Sequence, residues 1–114
     1  MYSIVKEFEF AAAHALTKFR GKCENLHGHN YRLAITITGK LDKDDLVMDF
    51  GELKNIVKEH VIDKLDHTNL NDEFENPSCE LVAKWIFDKL KKDLNITQVQ
   101  LWETPNSSVI YNEK

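Results

Sequence analysis

His27-Gly28-His29 places two imidazoles either side of a single glycine. On an extended segment, residues two apart point to the same face, so both rings can converge on one ion, and Gly28 keeps the space between them clear. His14 lies upstream and returns beside this segment if the strands flanking the intervening stretch pair antiparallel. Three imidazoles without a fourth protein ligand match a catalytic zinc site, which keeps a position open for water or substrate, whereas a structural site is closed, often by cysteines. A His-x-His alone is a weak pattern, so the residues around it matter.

Cys23 precedes His27 closely. A thiol near a bound cation can be held as thiolate and serve as nucleophile or base. Otherwise it is a small buried hydrophobe, which is how Cys79 reads. Asp66-His67 couples a carboxylate to a histidine, which is either an exposed polar pair or a proton-transfer pair in which the carboxylate fixes the tautomer. His60 has no such company and reads as a surface or helix-end residue. Glu103 shares a strand face with Val99 and Leu101, where an unpaired carboxylate would be costly to bury. It is either exposed past the end of the core or matched to a partner; its two acceptors suit a ligand edge bearing adjacent N–H donors.

These residues need elements to hold them. Tyr2, Ile4, Phe8 and Phe10 alternate with polar positions, as do Tyr31, Leu33, Ile35 and Ile37 up to Gly39, which predicts strands over 2–10 and 30–38. The stretch Ala11 to Asn30 between them is too long for an ordinary hairpin loop, and long loops in compact domains are usually functional. Asp49 caps a helix with Phe50, Leu53, Val57, Val61 and Leu65 on one side, and Glu52 stands at the capping-box position. Residues 66–77 form a polar connector. Pro77 or Ser78 opens a second helix, with Leu81, Val82, Trp85, Ile86 and Leu90 on one side, ending near Asp93. Thr97 to Thr104 alternates again, and the Pro105-Asn106 turn leads to a last strand, Val109 to Tyr111.

The order strand, strand, helix, helix, strand, strand predicts an α+β fold: a four-stranded antiparallel sheet with two helices on one face. No linker or repeat divides residues 1–114, which read as one domain. Such a sheet has open edges, and pairing them with neighbouring copies is one way to close them. The composition is 42% hydrophobic and 30% charged, ordinary for a globular protein. The net charge of -4 argues against a nucleic-acid binder held by phosphate contacts, although Lys18, Arg20 and Lys22 cluster locally. No apolar run approaches the ~18 residues of a membrane span. The N-terminus MYSIVKEFEF has no signal-peptide pattern, so the cytoplasm is expected, with both cysteines free.

Together these residues resemble the family of 6-pyruvoyl-tetrahydropterin and 6-carboxy-tetrahydropterin synthases, built on the tunnelling fold. The marks are Phe10-Ala11-Ala12-Ala13-His14, Cys23 through Tyr31, Val47-Met48-Asp49-Phe50-Gly51, Leu65 through Leu70, Asn76 through Glu80, and Trp102-Glu103-Thr104. The resemblance implies that His14, His27 and His29 bind Zn2+, that Cys23 is the catalytic thiol, that Asp66 and His67 relay protons, and that Glu103 anchors the pterin ring. It further implies 7,8-dihydroneopterin triphosphate as substrate and a homohexamer of two trimers, each closing its sheets into a barrel, with active sites between subunits. Two departures stand out. Ala15 occupies the place where many members carry Arg, so Lys18, Arg20 or Lys22 are the candidates for the triphosphate, and Ser78 stands where Thr is usual.

The short chain is close to the compact bacterial members. That favours 6-carboxy-5,6,7,8-tetrahydropterin, with loss of acetaldehyde and triphosphate, on the way to queuosine. The alternatives are 6-pyruvoyl-tetrahydropterin formation, an aldolase-like cleavage in which Glu24 would take the role of Cys23, and a non-catalytic module in which zinc only braces the loop.

Overall fold

The computed structural model describes residues 1–21 and 24–113. β1 (Tyr2–His14) and β2 (His27–Gly39) pair antiparallel along their full length, from Tyr2 opposite Gly39 to His14 opposite His27. Both strands therefore run further toward each other than their alternation predicts. Ala11-Ala12-Ala13 and His27-Gly28-His29 carry no hydrophobic period, but small side chains and an open edge suffice for the backbone ladder to continue. The connecting loop shrinks to residues 15–26, and the histidines sit on strands rather than in the loop.

β4 (Ile96–Thr104) pairs antiparallel with β2, and β5 (Ser107–Asn112) antiparallel with β4. These four strands form the predicted antiparallel sheet. A two-residue strand, β3 (Thr68–Asn69), adds a parallel pairing to Ala12 and Ala13, giving the order β3-β1-β2-β4-β5. The polar connector is thus stitched to β1 beside His14. Apart from the β3 pairing at Ala12 and Ala13 and the bonds of Ala11 to Asp66 and His67, β1 has no strand partner on its outer edge among the described residues, nor does β5 on the opposite side.

The first helical rod spans residues 50–65 and consists of α1 (Phe50–Val57), a π-helical segment (Lys58–Ile62) and α2 (Asp63–Leu65). The Asp49 side chain accepts the amide of Glu52, as an N-cap should. Leu53, Val57, Val61 and Leu65 are fully buried at a spacing of four. In a pure α-helix such a stripe would drift by about 40° at each step. The wider π turn offsets that drift and keeps the stripe on the sheet. Phe50 begins the stripe in sequence but lies exposed.

α3 (Cys79–Leu90) starts at Ser78, whose hydroxyl accepts the amide of Leu81. Its buried side is Cys79, Val82, Ala83, Ile86, Phe87 and Leu90, the i, i+3, i+4 spacing of a helix packed on a sheet. Leu81, expected on that side, is 49% exposed, and Phe87 takes the inward position. The helices cover the sheet face formed by Phe10, Ala12, Tyr31, Leu33, Ile35, Ile37, Val99 and Leu101, which is the core. Burying each large aliphatic side chain there contributes ~1.5–3 kcal/mol. The other face carries Glu7, Asn30, Arg32 and Trp102, with the Arg32 guanidinium 3.9 Å from the Trp102 ring centre.

Candidate metal centre and active site

His14 ends β1 and His27 begins β2, directly across the ladder, while His29 faces Ala12 one step further in. All three rings lie on the helix side of the sheet by strand parity. Their centroids form a near-equilateral triangle: 4.7 Å from His14 to His27, 5.0 Å from His14 to His29 and 4.8 Å from His27 to His29. One ring nitrogen of each lies within 4.8 Å of the other two.

The tautomers follow from the partners. His14 Nδ1 lies 2.8 Å from the Pro77 carbonyl oxygen, and His27 Nδ1 lies 2.9 Å from that of Asn25. A carbonyl only accepts, so each Nδ1 carries the proton and each Nε2 presents a lone pair. His14 is 1% exposed, and its Nε2 is buried with no hydrogen-bond partner, as is that of His29. Buried imidazole nitrogens without a hydrogen-bond partner are costly unless a cation meets them. Burial holds the His29 imidazole below the ordinary value of 6.5, and His14 and His27 act in the same direction, against the opposing pull of Glu103. Neutral imidazole is the form that ligates, so the donor set fits a divalent, imidazole-binding ion such as Zn2+.

Glu103 stands where the β4–β5 register slips between Trp102 and Thr104. Its Oε1 approaches His29 Nε2 to 3.3 Å, an electrostatic contact that lacks hydrogen-bond alignment. The same carboxylate lines a cleft of about 170 Å3 with Cys79, Glu80, Ser107, Ser108 and Val109. The start of α3 and the β4–β5 turn therefore wall a recess beside the imidazoles. Cys79 is buried and donates to the Leu101 carbonyl at 3.4 Å; burial pushes its thiol up to about 12, that of an inert hydrophobe.

Asp66 and His67 do form a pair, with His67 Nδ1 3.1 Å from Asp66 Oδ2. The other oxygen, Oδ1, accepts the Ala11 amide at 2.9 Å, and His67 N–H donates to the Ala11 carbonyl at 2.6 Å. His67 adopts φ +60°, and its side chain is 84% exposed at the sheet edge, over an open cleft of about 370 Å3 lined by Ala11, Ala13, Gly28, His29, Asn30 and Thr68. The structure thus gathers His14, His27, His29 and Glu103 into one site and sets Asp66-His67 at its flank.

Cys23 and Lys22 lie outside the described residues. Lys18 and Arg20 are exposed on the loop that follows β1, Arg20 at φ +49° with its guanidinium 5.3 Å from the Phe19 ring centre. That loop is tied down at its base. Asn71 accepts from Ala15 N–H and donates to the Ala15 carbonyl, Asn76 accepts from Thr17 N–H, and Glu24 accepts from Leu16 N–H at 3.0 Å. His60, read as a surface or helix-end histidine, faces Asp93 at 3.4 Å.

The model of the family described as 6-pyruvoyl tetrahydropterin synthase matches residues 3–114. The chain belongs to that family. Among its relatives, the 6-carboxy-5,6,7,8-tetrahydropterin synthase of Haemophilus influenzae is 38% identical, with 99% of this chain and 100% of the relative covered. The 6-pyruvoyl tetrahydrobiopterin synthase of Dictyostelium discoideum is 39% identical over 82% of this chain and 76% of its own. The solved 6-pyruvoyl tetrahydropterin synthase of Caenorhabditis elegans superposes with a TM-score of 0.87 at 28% identity, covering 99% of this chain and 96% of that one. As a member of the pterin synthase family, this chain has the tunnelling fold that the sequence predicts and is an enzyme of that family.

Residue types alone missed the Pro77 carbonyl, the Tyr31 hydroxyl and the Asn71 amide. Tyr31 reads in sequence only as a core strand residue, yet its hydroxyl lies 3.3 Å from His14 Nδ1. The one available signal was its place two residues after His29 on the same strand face.

Proposed function

We propose that this chain converts 7,8-dihydroneopterin triphosphate and water to 6-carboxy-5,6,7,8-tetrahydropterin, releasing acetaldehyde and triphosphate, in the route toward queuosine. The observation that carries this reading is the meeting of three converging imidazoles with a carboxylate, Glu103, that also lines the adjoining cleft. His14, His27 and His29 would hold Zn2+ through Nε2. Bound there, the ion would supply Lewis-acid polarisation of the substrate's side-chain hydroxyls.

The protein's own residues do the rest. Glu103 accepts the 2-amino group and the neighbouring ring N–H, fixing the pterin edge in the cleft. Cys23 removes the carbon-bound proton beside the polarised hydroxyl. His67, with its tautomer set by Asp66, returns protons as the ring gains the electrons that the side chain gives up. Lys18, Arg20 and Lys22, close to Cys23 in sequence, offer charge to the triphosphate. Glu24, the base an aldolase-like cleavage would require, instead spends one oxygen on the Leu16 amide, which favours Cys23.

The reading includes a homohexamer of two trimers with sites between copies. It is supported by the open outer edges of β1 and β5, and by the exposure of His67 at the edge rather than among the imidazoles. A second reading, stopping at 6-pyruvoyl-tetrahydropterin, is favoured by the Dictyostelium relative. Incubating zinc-loaded protein with dihydroneopterin triphosphate separates them: the proposal expects a carboxy-pterin by mass together with acetaldehyde. A pyruvoyl-pterin without acetaldehyde would establish the second reading, and unchanged substrate would defeat both.

A further inference from the structure

Tyr31 is fully buried in the core and stacks on Phe10 with ring centroids 4.9 Å apart and planes 10° from parallel. A phenylalanine would serve that packing equally well. The hydroxyl instead costs desolvation in an apolar core unless a partner meets it. Its one hydrogen-bond contact among the described residues is His14 Nδ1, at 3.3 Å.

His14 Nδ1–H already donates to the Pro77 carbonyl at 2.8 Å. With that bond alone the imidazole can pivot about the N–H···O axis, which swings Nε2 away from the point where His27 and His29 converge. A second acceptor, the Tyr31 oxygen, shares the same N–H from another direction and fixes the ring plane. Tyr31 also stands edge-on to His29, with centroids 5.6 Å apart, so one phenol braces two of the imidazoles.

We propose that Tyr31 is a positioning residue of the metal centre, its hydroxyl holding His14 with Nε2 aimed at the ion. The inference rests on the zinc reading above and deepens it. Outer partners of ligating histidines typically change metal affinity by about 10–100-fold when removed.

The test measures Zn2+ affinity by chelator competition, and the visible spectrum after Co2+ substitution, in the wild type, Tyr31→Phe and Phe10→Leu. Tyr31→Phe keeps the ring and the stack and should weaken Zn2+ binding about ten-fold while altering the Co2+ spectrum. Phe10→Leu loosens the core but keeps the hydroxyl, and should leave both near wild type. Unchanged affinity and spectrum in Tyr31→Phe would overturn the proposal, as would an equal loss in Phe10→Leu, which would make packing the cause. Absence of stoichiometric Zn2+ binding by the wild type would instead remove the metal centre itself, and both readings with it.

Discussion

Asp66 is fastened to the backbone of Ala11, accepting its N–H at 2.9 Å through Oδ1. The oxygen left over, Oδ2, is the one that faces His67. Structural and chemical duties are thus divided between the two oxygens of one carboxylate. Asp66→Asn can keep the Ala11 bond but loses the charge that orients His67. It should lower kcat by about 10²-fold or more while costing less than ~1 kcal/mol of stability. Steady-state kinetics and thermal unfolding on the same preparation test the division. A variant with wild-type kcat would remove Asp66 from the proton relay.

His67 holds φ +60°, a left-handed conformation that costs a residue with a Cβ roughly 1–2 kcal/mol. Glycine adopts it freely, at some cost in unfolded-state entropy. His67→Gly should therefore leave the melting temperature unchanged or slightly raised, while turnover falls. Clear destabilisation would mean that the His67 side chain holds the fold, against its 84% exposure.

The His29 imidazole is held below 6.5 chiefly by burial. A histidine with a depressed folded-state value lets the unfolded chain bind the proton first. Its contribution is therefore intact above about pH 6.5 and is lost as pH falls from there through the lower folded-state value. Chelator-treated protein should lose thermal stability below pH 6.5, and His29→Gln should flatten that slope. An identical pH profile in the variant would show that His29 is not the group responsible.

Asn71 bonds both the N–H and the carbonyl of Ala15, while His14 is held separately by the ladder and by Pro77. Asn71→Ala should loosen the loop without releasing the metal donors. Tryptic cleavage at Lys18, Arg20 or Lys22 should accelerate about ten-fold, the equivalent of ~1.4 kcal/mol of local opening, with Zn2+ content unchanged. Loss of Zn2+ on this substitution would mean that the loop anchor and the metal centre are one unit.

The sequence discloses what depends on side-chain type and period. Tyr31, Leu33, Ile35 and Ile37 announce β2, Asp49 announces the first helix, and His27-Gly28-His29 announces a shared strand face. It is silent where backbone atoms decide. The Pro77 carbonyl that sets the His14 tautomer has no residue-type signature, and Thr68 and Asn69 form a strand only because β1 passes beside them. Leu53, Val57, Val61 and Leu65 mark a buried helix face, but not the π segment that keeps so regular a spacing of four on one side. The first helix and the core were legible for that reason, whereas the strand extensions carrying His14 and His27 emerge only from pairing.

His14 opposite His27 closes the β1–β2 ladder, so the donors belong to strand ends whose separation is set by inter-strand hydrogen bonds. Of the described residues between them, Asn25, just ahead of β2, meets these rings through its carbonyl, 2.9 Å from His27 Nδ1. The span ahead of Asn25 can be lengthened, shortened or recomposed while the β1–β2 ladder keeps the strand ends in register. A lineage built this way can explore new acids, bases and substrate tails by exchanging one hairpin tip over an inherited metal anchor.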